Sequence, residues 1–139
     1  YYDETVVIFV RAAGHADLID AARDAFTKTW RAKNDAALTA PLPTFRWQWA
    51  VARSTGQTSY AAVLETIGDA KEALKWFETA IAGGLLPRDE VEARQHAAEC
   101  LASSGEHAQA RVHLMRALEL DPSSETTRAM LRRLDEISQ

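Results

Sequence analysis

The side chains best suited to nucleophilic, acid–base or metal chemistry in this 139-residue chain are four histidines, His15, His96, His107 and His113, and a single cysteine, Cys100. Only His107 and His113 are close in sequence. Six residues apart, they project from different sides of a helix, so the two cannot share a metal ion without outside help. One cysteine allows no intrachain disulfide and no thiolate cluster, and Cys100 reads as a small buried residue. The patterns HExxH, paired CxxC, GxxxxGK[ST] and GxSxG are all missing. Acidic residues alternate with lysine and arginine at helical spacing, as on a solvated face. The sequence therefore predicts no catalytic residue, no metal ligand set, no cofactor and no enzyme activity.

The elements behind these side chains announce themselves by repetition. Ala61, Leu64, Gly68, Ala73, Phe77 and Ala80 recur, each 37 places later, as Ala98, Leu101, Gly105, Ala110, Leu114 and Ala117. Within each copy the first two lie on one helical face, the glycine breaks that helix, and the last three return at i, i+4, i+7 on a second. Two antiparallel helices follow. Small residues where they cross let them approach to roughly 8–10 Å, and such units must stack on neighbours to bury their apolar faces.

This pattern resembles the tetratricopeptide repeat (TPR) family. Gly105, Ala110, Leu114, Ala117 and Pro122 look like the second helix and closing proline of such a unit, and Gly68 to Ala80 matches nearly as well. The first helices depart from the family: Gln57, Tyr60, Ala61, Arg94, Ala97 and Ala98 stand where an aromatic residue and a Leu-Gly pair are favoured. The linker between copies is about three residues longer than the usual 34-residue period. The resemblance implies an all-α superhelix of about three antiparallel helix pairs with a C-terminal capping helix. It covers about half of the chain.

Taken in order, residues 3–33 read as a degenerate first helix pair. The β-branched run over 5–10 favours a strand by propensity, but a lone strand among helices would leave backbone groups unpaired, so helix is the preferred reading. Residues 34–44, with Pro41 and Pro43, read as a loop. Residues 45–87 form a second unit with an extra helix, and Ser54 to Ser59 either divides it into two short helices or bends one long one. Residues 89–122 form a third unit, with Asp89 and Glu92 repeating the capping-box spacing of Asp69 and Glu72. Residues 124–137 form the cap, buried through Thr127, Met130, Leu131, Leu134 and Ile137, while Arg132 stands where earlier first helices carry alanine and blocks further stacking. The whole chain reads as one domain.

A net charge of −4, with 47% hydrophobic and 26% charged residues, gives no general attraction to nucleic acid or acidic lipid. Arg128, Arg132 and Arg133 lie among acidic residues and read as a solvated face. Trp30 and Trp76 read as packing, and Trp47 and Trp49 as filler at a repeat junction. No apolar run approaches the ~20 residues of a membrane span, and no signal peptide is recognisable. A cytoplasmic protein is the expectation, although the chain opens on Tyr1 without methionine, as a processed protein or part of a longer one does.

The resemblance also implies where a partner would sit. In the family, first helices line a concave groove that receives a peptide or a partner's helix. Carried over, the groove candidates are Thr55, Thr58, Ala62, Glu65 and Thr66 from one unit and Glu92, Gln95, His96, Glu99, Ala102 and Ser103 from the next. One subset of the family grips a C-terminal carboxylate with lysine, arginine and asparagine in these places. Here the carboxylates of Glu65, Glu92 and Glu99 favour a neutral or basic segment instead. A non-catalytic protein-binding scaffold is the leading expectation. Two others are a regulatory domain of a bacterial transcription factor and an accessory domain of an enzyme whose catalytic part lies elsewhere. Self-association through the N-terminal pair is a further possibility.

Overall fold

The computed structural model describes residues 32–39 and 47–137, with isolated positions at 17, 20, 21, 24 and 28. The expected helix pair over 3–33, the helix-or-strand alternative at 5–10 and the self-association drawn from that pair all lie mainly outside the described residues. The chain divides into two compact units, Tyr1–Ala40 and Pro41–Gln139. In the first, α1 spans Ala32–Thr39. Helix thus occupies residues 34–39 of the expected loop, because Ala36, Ala37 and Leu38 are good helix formers and the prolines that end helices come only later.

The second unit is a succession of five helices: α2 (Trp47–Thr66), α3 (Ala70–Gly83), α4 (Pro87–Ser103), α5 (His107–Leu120) and α6 (Glu125–Ile137). Each packs antiparallel on the next, and α2 also touches α4. Among the described residues there is no strand, and no helix is long and apolar enough to cross a membrane.

The repeated residues do what their spacing demands. Ala61, Leu64, Ala73, Phe77 and Ala80, and their counterparts Ala98, Leu101, Ala110, Leu114 and Ala117, are all at most 2% exposed. Burying Leu64, Phe77, Leu101 and Leu114 contributes about 1.5–3 kcal/mol each. The turns between helices repeat as closely. Gly68 and Gly105 have φ of 87° and 81°, a left-handed conformation that costs a residue with Cβ but not glycine. Gly68 N–H donates to the Glu65 carbonyl and Asp69 N–H to Leu64, both at 2.9 Å. Gly105 N–H donates to Ala102 at 3.0 Å and Glu106 N–H to Leu101 at 2.9 Å. Both are Schellman turns, which satisfy the last carbonyls of α2 and α4.

Helix starts differ between the copies. Asp69 caps α3, its carboxylate accepting from Glu72 N–H at 3.3 Å, as the capping-box spacing predicts. At α4 the predicted cap at Asp89 is displaced: the helix begins at Pro87, with Leu86 as N-cap and Asp89 already in the first turn. Proline's fixed φ suits the first helical position, where its missing N–H costs nothing.

Ser54 to Ser59 neither breaks α2 nor divides it. The hydroxyls of Thr55, Thr58 and Ser59 donate back to the carbonyls of Val51, Ser54 and Thr55 at 3.0–3.1 Å, so the polar side chains are satisfied within a continuous helix. Ser54 is 1% exposed and faces α3, where a Cβ built on Gly83 would come within 2.6 Å of its Oγ. Helix propensity alone favours alanine over glycine by about 1 kcal/mol. We nevertheless expect Gly83→Ala to lower the midpoint of denaturant unfolding, and Ser54→Ala in the same chain to restore most of the loss. A stabilised Gly83→Ala would show that the two helices do not approach closely here.

Candidate functional site

The contact between α2 and α4 places three ionisable side chains together. Glu65 lies in the last turn of α2, and its neighbour Leu64 anchors that turn in the core. His96 and Glu99 are i, i+3 neighbours on α4 and share a face of that helix. His96 Nδ1 approaches Glu65 Oε2 at 2.8 Å and Glu99 Oε2 at 3.7 Å. Nδ1 is itself enclosed and makes no hydrogen bond of regular geometry. The Phe77 ring from α3 stacks on His96, with centroids 5.4 Å apart and planes within 7°. On the other side of Glu65, Cys100 Sγ donates to Oε1 at 3.7 Å.

The electrostatics follow from this crowding. Interaction with the Glu65 side chain raises the His96 pKa above the ordinary imidazole value, and the charges of Glu65, Glu99 and Glu92 add to the effect while burial opposes it. Burial, followed by the charge of Glu65, pushes the Cys100 thiol up to about 12. The sulfur stays protonated near neutrality and is a poor nucleophile. Its bland reading as a small buried residue agrees with an exposure of 2%.

The other groove candidates take different surroundings. The Thr66 hydroxyl donates to the Ala62 carbonyl at 2.8 Å and Ser103 to Cys100 at 2.7 Å, so these donors, like those of Thr55 and Thr58, are used within their own helices. Ala62 is half-buried. Gln95 reaches across to α6, donating to Thr127 Oγ1 at 2.7 Å and Ser124 Oγ at 3.4 Å, and thereby satisfies a threonine with no exposure. Glu92 is exposed and lies 3.6 Å from Arg88. Glu92 and Gln95 border a cleft of about 430 Å³ with Leu120, Asp121 and Ser124. Glu99, Ala102 and Ser103 border another of about 410 Å³, floored by Leu114, Met130 and Leu134. Glu65, His96 and Glu99 therefore form one cluster, and the remaining candidates are distributed over two clefts and the flank of α2.

Sequence reasoning named all three cluster members but not their meeting. Histidine spacing along one helix does not reveal this cluster, because its donors come from two helices at a separation unrelated to the 37-residue repeat. No protein-family model and no curated protein matches this sequence.

Of the remaining histidines, His113 has the clearest consequence. Its pKa is lowered by burial and by the Arg94 charge, with Glu78 opposing. A depressed folded-state pKa means that the unfolded chain binds more protons below the ordinary value of about 6.5, so stability is full above that pH and falls as pH drops through the folded value. His96, with its raised pKa, acts oppositely: its contribution is full below about 6.5 and is lost as pH rises through its folded value. We expect His113→Gln to lose less stability than the parent when thermal unfolding is followed from neutral to mildly acidic pH. Parallel pH profiles would contradict a buried neutral His113.

Proposed function

We propose that the five-helix unit is a non-catalytic protein-binding scaffold with a TPR-like superhelical arrangement, which receives a neutral or basic peptide or partner helix along α2 and α4. Four observations support the repeat reading. The apolar positions recur with equal burial, the Schellman turns recur at the same offset, α2 and α4 touch, and Gln95 of α4 bonds to Thr127 of α6. First helices in contact with one another are what a stack of helix pairs requires.

The observation that carries the binding preference is the group of carboxylates from Glu65, Glu92 and Glu99 on these two helices. Arg88 partly offsets Glu92, and His96 offsets its neighbours only when protonated. An acidic segment would meet repulsion there, and a lysine or arginine would be attracted. Fluorescence anisotropy with labelled basic, neutral and acidic peptides of equal length, at low and moderate salt, tests the reading. The basic peptide is expected to bind most tightly, to weaken with salt, and to lose about threefold to tenfold in affinity in Glu92→Gln/Glu99→Gln, the scale of two exposed charge pairs. Equal binding of all three peptides, or preference for the acidic one, would overturn it.

A further inference from the structure

The geometry points to a divalent-cation site formed by Glu65, His96 and Glu99, suited to Zn²⁺ and to similar borderline ions. One ring nitrogen of His96 and one carboxylate oxygen from each glutamate lie within 4.8 Å of one another, and Nδ1 is the nitrogen that faces both carboxylates. Around a tetrahedral Zn²⁺ with bonds of roughly 2.0–2.1 Å, ligand atoms stand about 3.3 Å apart. The observed separations of 2.8 and 3.7 Å from Nδ1 bracket that edge. Small side-chain rotations, with no helix movement, would bring the three donors around a common centre.

The ligands are also held. Phe77 fixes the plane of the His96 ring by stacking, and the Cys100 thiol occupies Oε1 of Glu65 while Oε2 faces Nδ1. Such contacts orient ligands, and losing one typically costs a metal site about 10–100-fold in affinity. Nδ1 is enclosed yet lacks a regular hydrogen bond, and its neighbours are carboxylate oxygens. In the tautomer protonated on Nε2, Nδ1 presents its lone pair toward the same space that the carboxylate oxygens face, which is the donor arrangement a cation needs. One imidazole nitrogen with two carboxylates suits Zn²⁺, Co²⁺ or Mn²⁺ better than Ca²⁺ or Mg²⁺, which take oxygen ligands. Cys100 Sγ faces Oε1 of Glu65 and lies outside the three-donor set. The side chains of His96 and Glu99 are 43% and 52% exposed, so the cluster lies near the surface of the helical unit. Such a site does not require that a peptide dock on the same helices, and failure of the basic-peptide preference leaves it standing.

Calorimetric titration of the 139-residue chain with Zn²⁺ alone, with Co²⁺ as a spectroscopic probe, tests the assignment. We expect binding of one equivalent and a melting temperature that rises with Zn²⁺ concentration. Co²⁺ should give visible absorption bands of a low-coordinate N/O site and broaden the Phe77 ring resonances. Glu99→Gln, on an exposed position that leaves packing intact, should weaken Zn²⁺ at least about tenfold, and Glu65→Gln should do the same while keeping an acceptor for Cys100. No binding would overturn the assignment, because a proton would then be the cation between these groups. Zn²⁺ binding unchanged in both variants, or Co²⁺ binding that spares Phe77, would overturn it equally by placing the metal elsewhere.

Discussion

Close approach of helices, made possible by alanine at repeated positions, is the constraint on which the rest of this structure depends. Residue size at a crossing sets the separation within the range of roughly 8–10 Å, and small residues on both facing surfaces give the closest approach. Ala61 and Ala73 in α2 and α3, and Ala98 and Ala110 in α4 and α5, have at most 2% exposure, and the larger Leu64, Phe77, Leu101 and Leu114 fill the space beside them. The same economy operates at Ser54 and Gly83, where no room remains for a methyl group. Because each pair closes in the same way and reverses through the same glycine turn, α2 and α4 are brought into contact, and the Glu65, His96 and Glu99 side chains meet there.

That meeting is where packing becomes chemistry. Phe77 belongs to the buried repeat, yet its ring also sets the plane of His96. Cys100 belongs to the core, yet its thiol holds one oxygen of Glu65. The α4–α6 contact follows the same logic, with Gln95 supplying the hydrogen bond that a fully buried Thr127 needs. Polar groups are thus placed by neighbours whose first task is to fill space.

Much of the helical part was legible because short-range patterns control it. Period, glycine position and the i, i+4, i+7 return of small residues located α3 and α5, and the pairing of α2 with α3 and of α4 with α5 followed. The α2 interior was harder to read. Serine and threonine favour breaks in isolation, but within a helix their hydroxyls can bond to the preceding turn, and tertiary burial of Ser54 and Gln57 decided the outcome. Helix α4 began before its predicted cap because Pro87 supplied a better first residue than Asp89 supplied a cap. The residues of the carboxylate–histidine cluster were visible singly, but their proximity was not, since it depends on the relative rotation of two helices separated by a third.

The most direct measurement of the central claim is the unfolding free energy of Ala110→Leu compared with Lys71→Ala by denaturant titration. If small residues permit the helix crossings, the added bulk at Ala110 costs about 1–3 kcal/mol, whereas loss of the exposed lysine side chain stays within about 0.5 kcal/mol. Equal stability of the two variants would contradict the account.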